Sequence, residues 1–258
     1  MNDSPKDGVL RVAIVGDFQI GKSSLVNCLI PEARTETGEG LDPTTSAVSD
    51  YRFAPGVHIV DTPGFNDTRA ELTRKSEEEI QKADVVLFMQ TDKAIEDRKE
   101  VIFRLADRKP LIVLFNCWHK TNGRAGWIPE SHMNLDTCAK IRKWFSVPGM
   151  ESSLLSIGGN PVLPINVLWA QYGLGQPIYG DQSEEDIVDF ARTKLNLNLT
   201  DSDLRDEMLR RSGFIPVREF LRNLPLELLK HAVANPEREI NRIVDRFAEE
   251  FRKRWNAA

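Results

Sequence analysis

Cysteine is scarce in this chain: Cys28, Cys117 and Cys138 are the only three among 258 residues. An odd number at unrelated spacing builds no disulfide framework and matches no zinc pattern, and it fits reduced cytosolic thiols. Long apolar runs are missing as well. No stretch approaches the roughly eighteen apolar residues that a membrane-spanning helix needs. Met1–Gly8 is polar and has no signal-peptide core, so a cytoplasmic location is expected. There is no excess of basic charge either. Lys and Arg number 34 against 39 Asp and Glu, a net charge of −5, which gives no strong nucleic-acid signal. What remains, 41% hydrophobic and 28% charged residues, is the composition of a globular domain. The length suits one α/β domain with an additional element.

One stretch dominates the rest. Gly16-Asp17-Phe18-Gln19-Ile20-Gly21-Lys22-Ser23 matches G-x-x-x-x-G-K-[ST], the phosphate-binding P-loop. An apolar run over Val9–Val15 precedes it as a strand, and Ser24–Ile30 continues it as a helix. Backbone N–H groups must come close to phosphate oxygens, so Gly16 and Gly21 keep side chains out of the way. The helix N-terminus adds partial positive charge. Lys22 reaches the β- and γ-phosphates, and the Ser23 hydroxyl binds Mg²⁺. The nucleotide-contacting set is therefore Gly16, Asp17, Phe18, Gln19, Ile20, Gly21, Lys22, Ser23 and Ser24. A second strand, Val57–Val60, runs into Asp61-Thr62-Pro63-Gly64. Asp61 is placed to hold Mg²⁺ through water, and the Gly64 N–H to sense a γ-phosphate.

With both motifs in place, residues 9–224 resemble a translation-factor-related GTPase of the Era, septin and dynamin-like kind. Asp61–Thr68 looks like the switch II of septin and immunity-associated GTPases. Leu41-Asp42-Pro43-Thr44-Thr45-Ser46 looks like a switch I, in which the resemblance puts Thr45, or else Thr44, on Mg²⁺ and the γ-phosphate. The implied cofactor is Mg²⁺ with GTP or GDP. The implied machinery is Lys22, Thr45 and Gln19, with Ser23, Thr45 and Asp61 as the metal set. Gln19 stands where relatives carry a cation-binding asparagine, a serine or an arginine. Its amide orients water, or its carbonyl holds K⁺, or the side chain faces solvent. Phe65 occupies the position of the water-orienting glutamine of Ras-like enzymes, so slow turnover, accelerated by dimerisation or a partner, is implied.

Two family motifs are altered. The guanine-reading Asn-Lys-x-Asp is here Asn116-Cys117-Trp118-His119. The base is read differently, Trp118 stacks on it, or specificity is loose. The last motif is Asn166-Val167-Leu168, where Asn166 orients the base through the loop or simply ends a strand. A scaffold that hydrolyses little and a dynamin-like membrane remodeller are the alternatives to a GTPase switch.

The pattern predicts strands at about 9–15, 47–54, 57–61, 84–89, 110–115 and 162–166. It predicts helices near 22–30, 69–82, 95–108, 134–146 and 214–223. Strands two and three form an antiparallel hairpin around Ala54-Pro55-Gly56. The expected fold is α/β, a three-layer P-loop NTPase G domain on a mostly parallel six-stranded sheet. Within it, residues 171–212 form a helical insertion with helices at 183–194 and 201–211. Residues 1–8 are a flexible N-terminus and 225–258 a C-terminal helical extension. There Asn235-Pro236-Glu237 starts a helix. Its Ile240, Ile243, Val244, Phe247, Phe251 and Trp255 share one face. That face packs on the nucleotide domain or docks a partner, a second copy or further helices. Lipid insertion has little support because acids accompany the bases.

Overall fold

The computed structural model describes residues 9–17, 19–33, 48–64, 70–91, 98–121, 124–127, 139, 143–144, 154–178, 183–237, 240 and 244. Its centre is a six-stranded sheet built from β1 (Leu10–Gly16), β2 (Ser49–Ala54), β3 (Val57–Asp61), β4 (Val85–Gln90), β5 (Leu111–Asn116) and β8 (Val162–Ile165), in the order β2-β3-β1-β4-β5-β8. All neighbours run parallel except β2, which pairs antiparallel with β3. The central strands read as unbroken apolar runs because both faces are covered. In β1, Val12 and Ile14 enter one core while Ala13 and Val15 enter the other. In β4, Val85, Leu87 and Met89 alternate in the same way with Val86 and Phe88.

The layers are helical. α1 (Lys22–Leu29), α4 (Val167–Gly173) and α7 (Phe214–Arg222) contribute Leu25, Ala170 and Val217 to the first core. α2 (Ala70–Lys82) and α3 (Lys99–Arg108) contribute Ile80 and Ile102 to the second. This is the expected three-layer α/β arrangement.

A third, smaller core forms where α5 (Glu184–Thr193) and α6 (Asp201–Arg211) pack on the outer side of α4. It holds Trp169, Tyr172, Ile187, Ala191, Leu204 and Met208. Both insertion helices begin where the sequence places them. Ser183 and Asp186 form a reciprocal capping box, and Thr200 accepts from the Asp203 N–H. α8 (Leu224–Ala234) follows α7 after a single residue, Asn223.

Three parts of the fold go beyond the elements predicted one by one from the sequence. α4 occupies Val167–Gly173, where the sequence suggests a strand end and a loop. Its N-cap is Asn166, whose Oδ1 accepts from the Trp169 N–H. α8 lies within the stretch expected as a helical extension and adds a helix ahead of the one expected to start at Asn235. A two-stranded sheet, β6 (Trp118–Thr121) with β7 (Arg124–Trp127), follows β5 directly, and no strand is expected there. The Asn122-Gly123 pair in the sequence is the hairpin signal that gives this sheet away. The helix expected at 134–146 lies mostly outside the described residues.

Candidate functional site

The site gathers at the carboxyl ends of β1, β3, β4 and β5. The P-loop leaves β1 at Gly16 and enters α1 at Lys22. Its backbone is forced into unusual conformations. Gly16 has φ +152°, Gln19 +56° and Gly21 +92°. A Cβ on Gly16 would lie 2.0 Å from the Met89 carbonyl oxygen, and one on Gly21 would lie 2.9 Å from the Asn116 amide. The two glycines are thus required by the close approach of β4 and Asn116 as well as by access to phosphate. α1 starts at Gly21 with no side-chain cap, so its first N–H groups have no capping side chain and form the usual anion cradle.

Lys22 is buried at the head of this helix, and its Nζ donates to the Asp17 carbonyl at 2.7 Å. Burial lowers its pKa to about 8, against the opposing pull of the Asp61 and Asp17 carboxylates. Ser23 Oγ donates to Asp61 Oδ2 at 2.8 Å, joining α1 to the end of β3. Asp61 is fully buried, and its Oδ1 has no hydrogen-bond partner among the described residues. Burial pushes its carboxyl above the usual range, although the Ser23 hydrogen bond, the Lys22 charge and the Thr62 backbone all favour the ionised form.

A buried carboxylate oxygen without a partner, next to a serine hydroxyl, is the donor set that a hard cation takes. Ser23 and Asp61 therefore fit Mg²⁺, and the observation is independent of the motif. Below them, Thr62 Oγ1 donates to the Ile14 carbonyl at 2.7 Å and ties β3 to β1. Ser76 Oγ, on α2, donates to the Pro63 carbonyl at 2.7 Å. Both hold the Asp-Thr-Pro-Gly turn in place. Ser76 has no signal in the sequence, because the contact spans two elements.

Asn116 and Asn166 link loops. Asn116 Nδ2 donates to the Ile20 carbonyl at 2.8 Å, and its Oδ1 accepts from the Val167 N–H at 3.2 Å. Asn166 Nδ2 donates to the Cys117 carbonyl at 3.1 Å, while its Oδ1 caps α4. Both residues are buried. The P-loop, the end of β5 and the start of α4 are thereby one hydrogen-bonded unit, with Val167 inside it. Gln19 is exposed at the loop crest, and Ser24 is the third residue of α1. Gly64 is buried just beyond β3. Phe18, Thr44, Thr45 and Phe65 lie outside the described residues, as does the side chain of Trp118. Among the described residues, no group of three or more His, Cys, Asp or Glu is placed to hold a metal.

A left-handed P-loop on a 2-3-1-4-5-8 sheet, with a buried lysine and a serine–aspartate pair, defines a P-loop nucleotide-binding domain. Residues 11–117, less than half of the chain, match the family model described as 50S ribosome-binding GTPase. The tRNA modification GTPase MnmE of Desulforamulus reducens is 35% identical over 114 residues, which are 41% of this chain and 24% of that protein. The match thus spans about a quarter of the relative's own length. Among solved structures, an Era variant from Aquifex aeolicus bound to GDP and AlF4⁻ gives a TM-score of 0.44 at 24% identity, covering 62% of this chain and 52% of that one. Era in complex with MgGDPNP and a segment of 16S ribosomal RNA gives 0.41 at 21% identity, covering 69% and 60%.

Proposed function

We propose that this protein is a Mg²⁺-dependent switch that binds GTP and GDP and hydrolyses GTP slowly on its own. The observation that carries the reading is the cradle itself. An uncapped α1, a buried Lys22 and the 2.8 Å Ser23–Asp61 bond with its unpartnered second carboxylate oxygen converge at one point. The GTPase family model over residues 11–117 supports guanine as the base.

In this reading the backbone N–H groups of the P-loop and of α1 hold the phosphates. Lys22 exchanges the Asp17 carbonyl for β- and γ-phosphate oxygens. Ser23 and Asp61 would hold Mg²⁺, the aspartate through water, and Thr45 would join them when GTP is bound. When bound there, Mg²⁺ would supply charge neutralisation for the β- and γ-phosphates. Gly64 senses the γ-phosphate through its N–H. Gln19, exposed and held at φ +56°, orients the attacking water or a K⁺ ion. Hydrolysis removes the contacts that hold the Glu36–Ser46 and Gly64–Ala70 switches, which then relax.

The G domain is assigned to residues 9–224 with 171–212 as its insertion. Partners are expected at the switches or at the C-terminal helix, including a second copy of the chain. The deciding experiment is calorimetric titration of nucleotide-free protein with GDP and with ADP, both with Mg²⁺. A preference for GDP of tenfold or more, at least about 1.4 kcal/mol, is expected. Equal or absent binding would overturn the guanine reading. Multiple-turnover phosphate release then separates a hydrolase from a nucleotide-binding scaffold.

A further inference from the structure

Two carboxylates lie close enough to Lys22 to act on its charge, Asp61 and Asp17. Asp61 has a role at the metal. The Asp17 carboxylate, directly after Gly16, has no role at the metal, and an acid inside a phosphate cradle opposes the binding of a highly charged anion. The structure shows where that charge goes. Asp17 Oδ2 accepts from Arg98 Nε at 2.9 Å and from Gln90 Nε2 at 2.7 Å. Gln90 is buried at the end of β4, and the Thr91 N–H donates to its Oε1 at 2.9 Å, fixing the amide so that its N–H faces Asp17. Arg98 stands at the N-cap of α3. The ion pair is largely enclosed, with 18% of the Arg98 side chain and 17% of the Asp17 side chain exposed. The carboxylate is therefore drawn towards β4 and α3, while the carbonyl of the same residue receives Lys22 Nζ.

We propose that Arg98 is a positioning residue for nucleotide binding, which neutralises Asp17 and holds its carboxylate away from the phosphates so that Lys22 and the loop amides meet the anion unopposed. The proposal rests on the phosphate-binding reading of the loop. Breaking an enclosed pair by removing one partner leaves the other charge uncompensated. Loss of Arg98 would thus place a bare carboxylate inside the cradle. Loss of the Asp17 charge would instead leave an extra cation beside it. The two substitutions therefore have opposite signs, which a merely structural pair would not show.

The test is GDP affinity, measured by calorimetry with Mg²⁺, for wild type, Arg98→Gln, Asp17→Asn, the double variant and Arg98→Lys. Thermal unfolding of each nucleotide-free protein reports the fold. Arg98→Gln is expected to weaken GDP binding about tenfold or more. Adding Asp17→Asn should restore it to within about threefold, and Arg98→Lys should keep most of it. Asp17→Asn alone should bind GDP more tightly than wild type, and this arm stands even if Arg98→Gln fails to fold. Unchanged binding in a folded Arg98→Gln, a loss that Asp17→Asn does not restore, or weaker binding in Asp17→Asn alone would each overturn the proposal. The Lys22→Ala variant separates the two readings. If wild type binds GDP, Lys22→Ala does not, and Arg98→Gln equals wild type, only the role of Arg98 falls. If wild type binds no GDP, both fall.

Discussion

Lys22 shows how one side chain is made expensive to bury and useful at once. It is enclosed at the head of α1, and burial lowers its pKa from 10.5 to about 8. The unfolded chain then holds more protons than the folded one between about pH 8 and 10.5, so this residue's contribution to stability rises with pH across that window. The unfolding free energy of wild type relative to Lys22→Met should climb by on the order of 3 kcal/mol from pH 8 to pH 10.5, as read from denaturant titrations. A flat difference would mean that the lysine is not desolvated. In the proposed reading the phosphates add to the counter-charge of Asp61 and Asp17, so Lys22→Ala should abolish detectable GDP binding in calorimetry. Unchanged binding there would sink the phosphate assignment. Gln19 sits on the same loop but is exposed. Gln19→Ala should reduce phosphate release more than GTP affinity. Normal turnover in that variant would move the catalytic role elsewhere.

Among the elements, the best-placed test is the contact between α4 and α6. Gly173 ends α4, and a Cβ added there would lie 2.5 Å from Leu209 Cβ and 2.8 Å from the Arg205 carbonyl oxygen. Helix propensity alone predicts that Gly173→Ala stabilises by about 1 kcal/mol. Overpacking predicts a loss of about 1–3 kcal/mol, and here it wins because Leu209 Cα and the Arg205 carbonyl are backbone atoms that cannot rotate away. Urea unfolding decides the sign, and a more stable Gly173→Ala would refute the close helix contact. The same region shows why some elements are readable and others are not. Ser183 and Thr200 announce α5 and α6 because each cap bonds a residue three positions on, within the local sequence. α4 is hidden because its cap, Asn166, follows a strand that ends in Ile165, and its Trp169 and Tyr172 look like loop aromatics until α5 and α6 cover them.

At the scale of the whole molecule, apolar residues near the end of the described chain face solvent. Ile240 and Val244 share the predicted apolar face of the C-terminal helix, and they are 59% and 57% exposed. The other four residues of that face, Ile243, Phe247, Phe251 and Trp255, lie outside the described residues. Leu226, Leu229 and Val233 on α8 are exposed as well. The apolar periodicity is visible in the sequence, but periodicity names a face and not its neighbour. Among the described residues no helix is long and apolar enough to cross a membrane. The GDP-over-ADP preference belongs to this scale too, because it tests loops from three strands acting together. Asn116, Ile20 and Val167 meet only when β5, α1 and α4 are assembled.

By itself the sequence determined the motifs whose chemistry lies in consecutive residues. These are the P-loop, the Asp61–Gly64 turn, the alternating apolar strands and the helix caps. It also set the nucleotide-binding class, since glycine, lysine and serine at that spacing serve few other purposes. The tertiary structure alone decided what those residues meet. Ser23 and Asp61 are separated by 38 positions, and Asp17 and Arg98 by 81. Contacts at such separation leave no periodicity, because they depend on where a parallel sheet returns the chain and not on what stands beside it in sequence. The same holds for Asn116 and Asn166, whose amides hold three loops together, and for Gly16, whose missing Cβ makes room for the Met89 carbonyl.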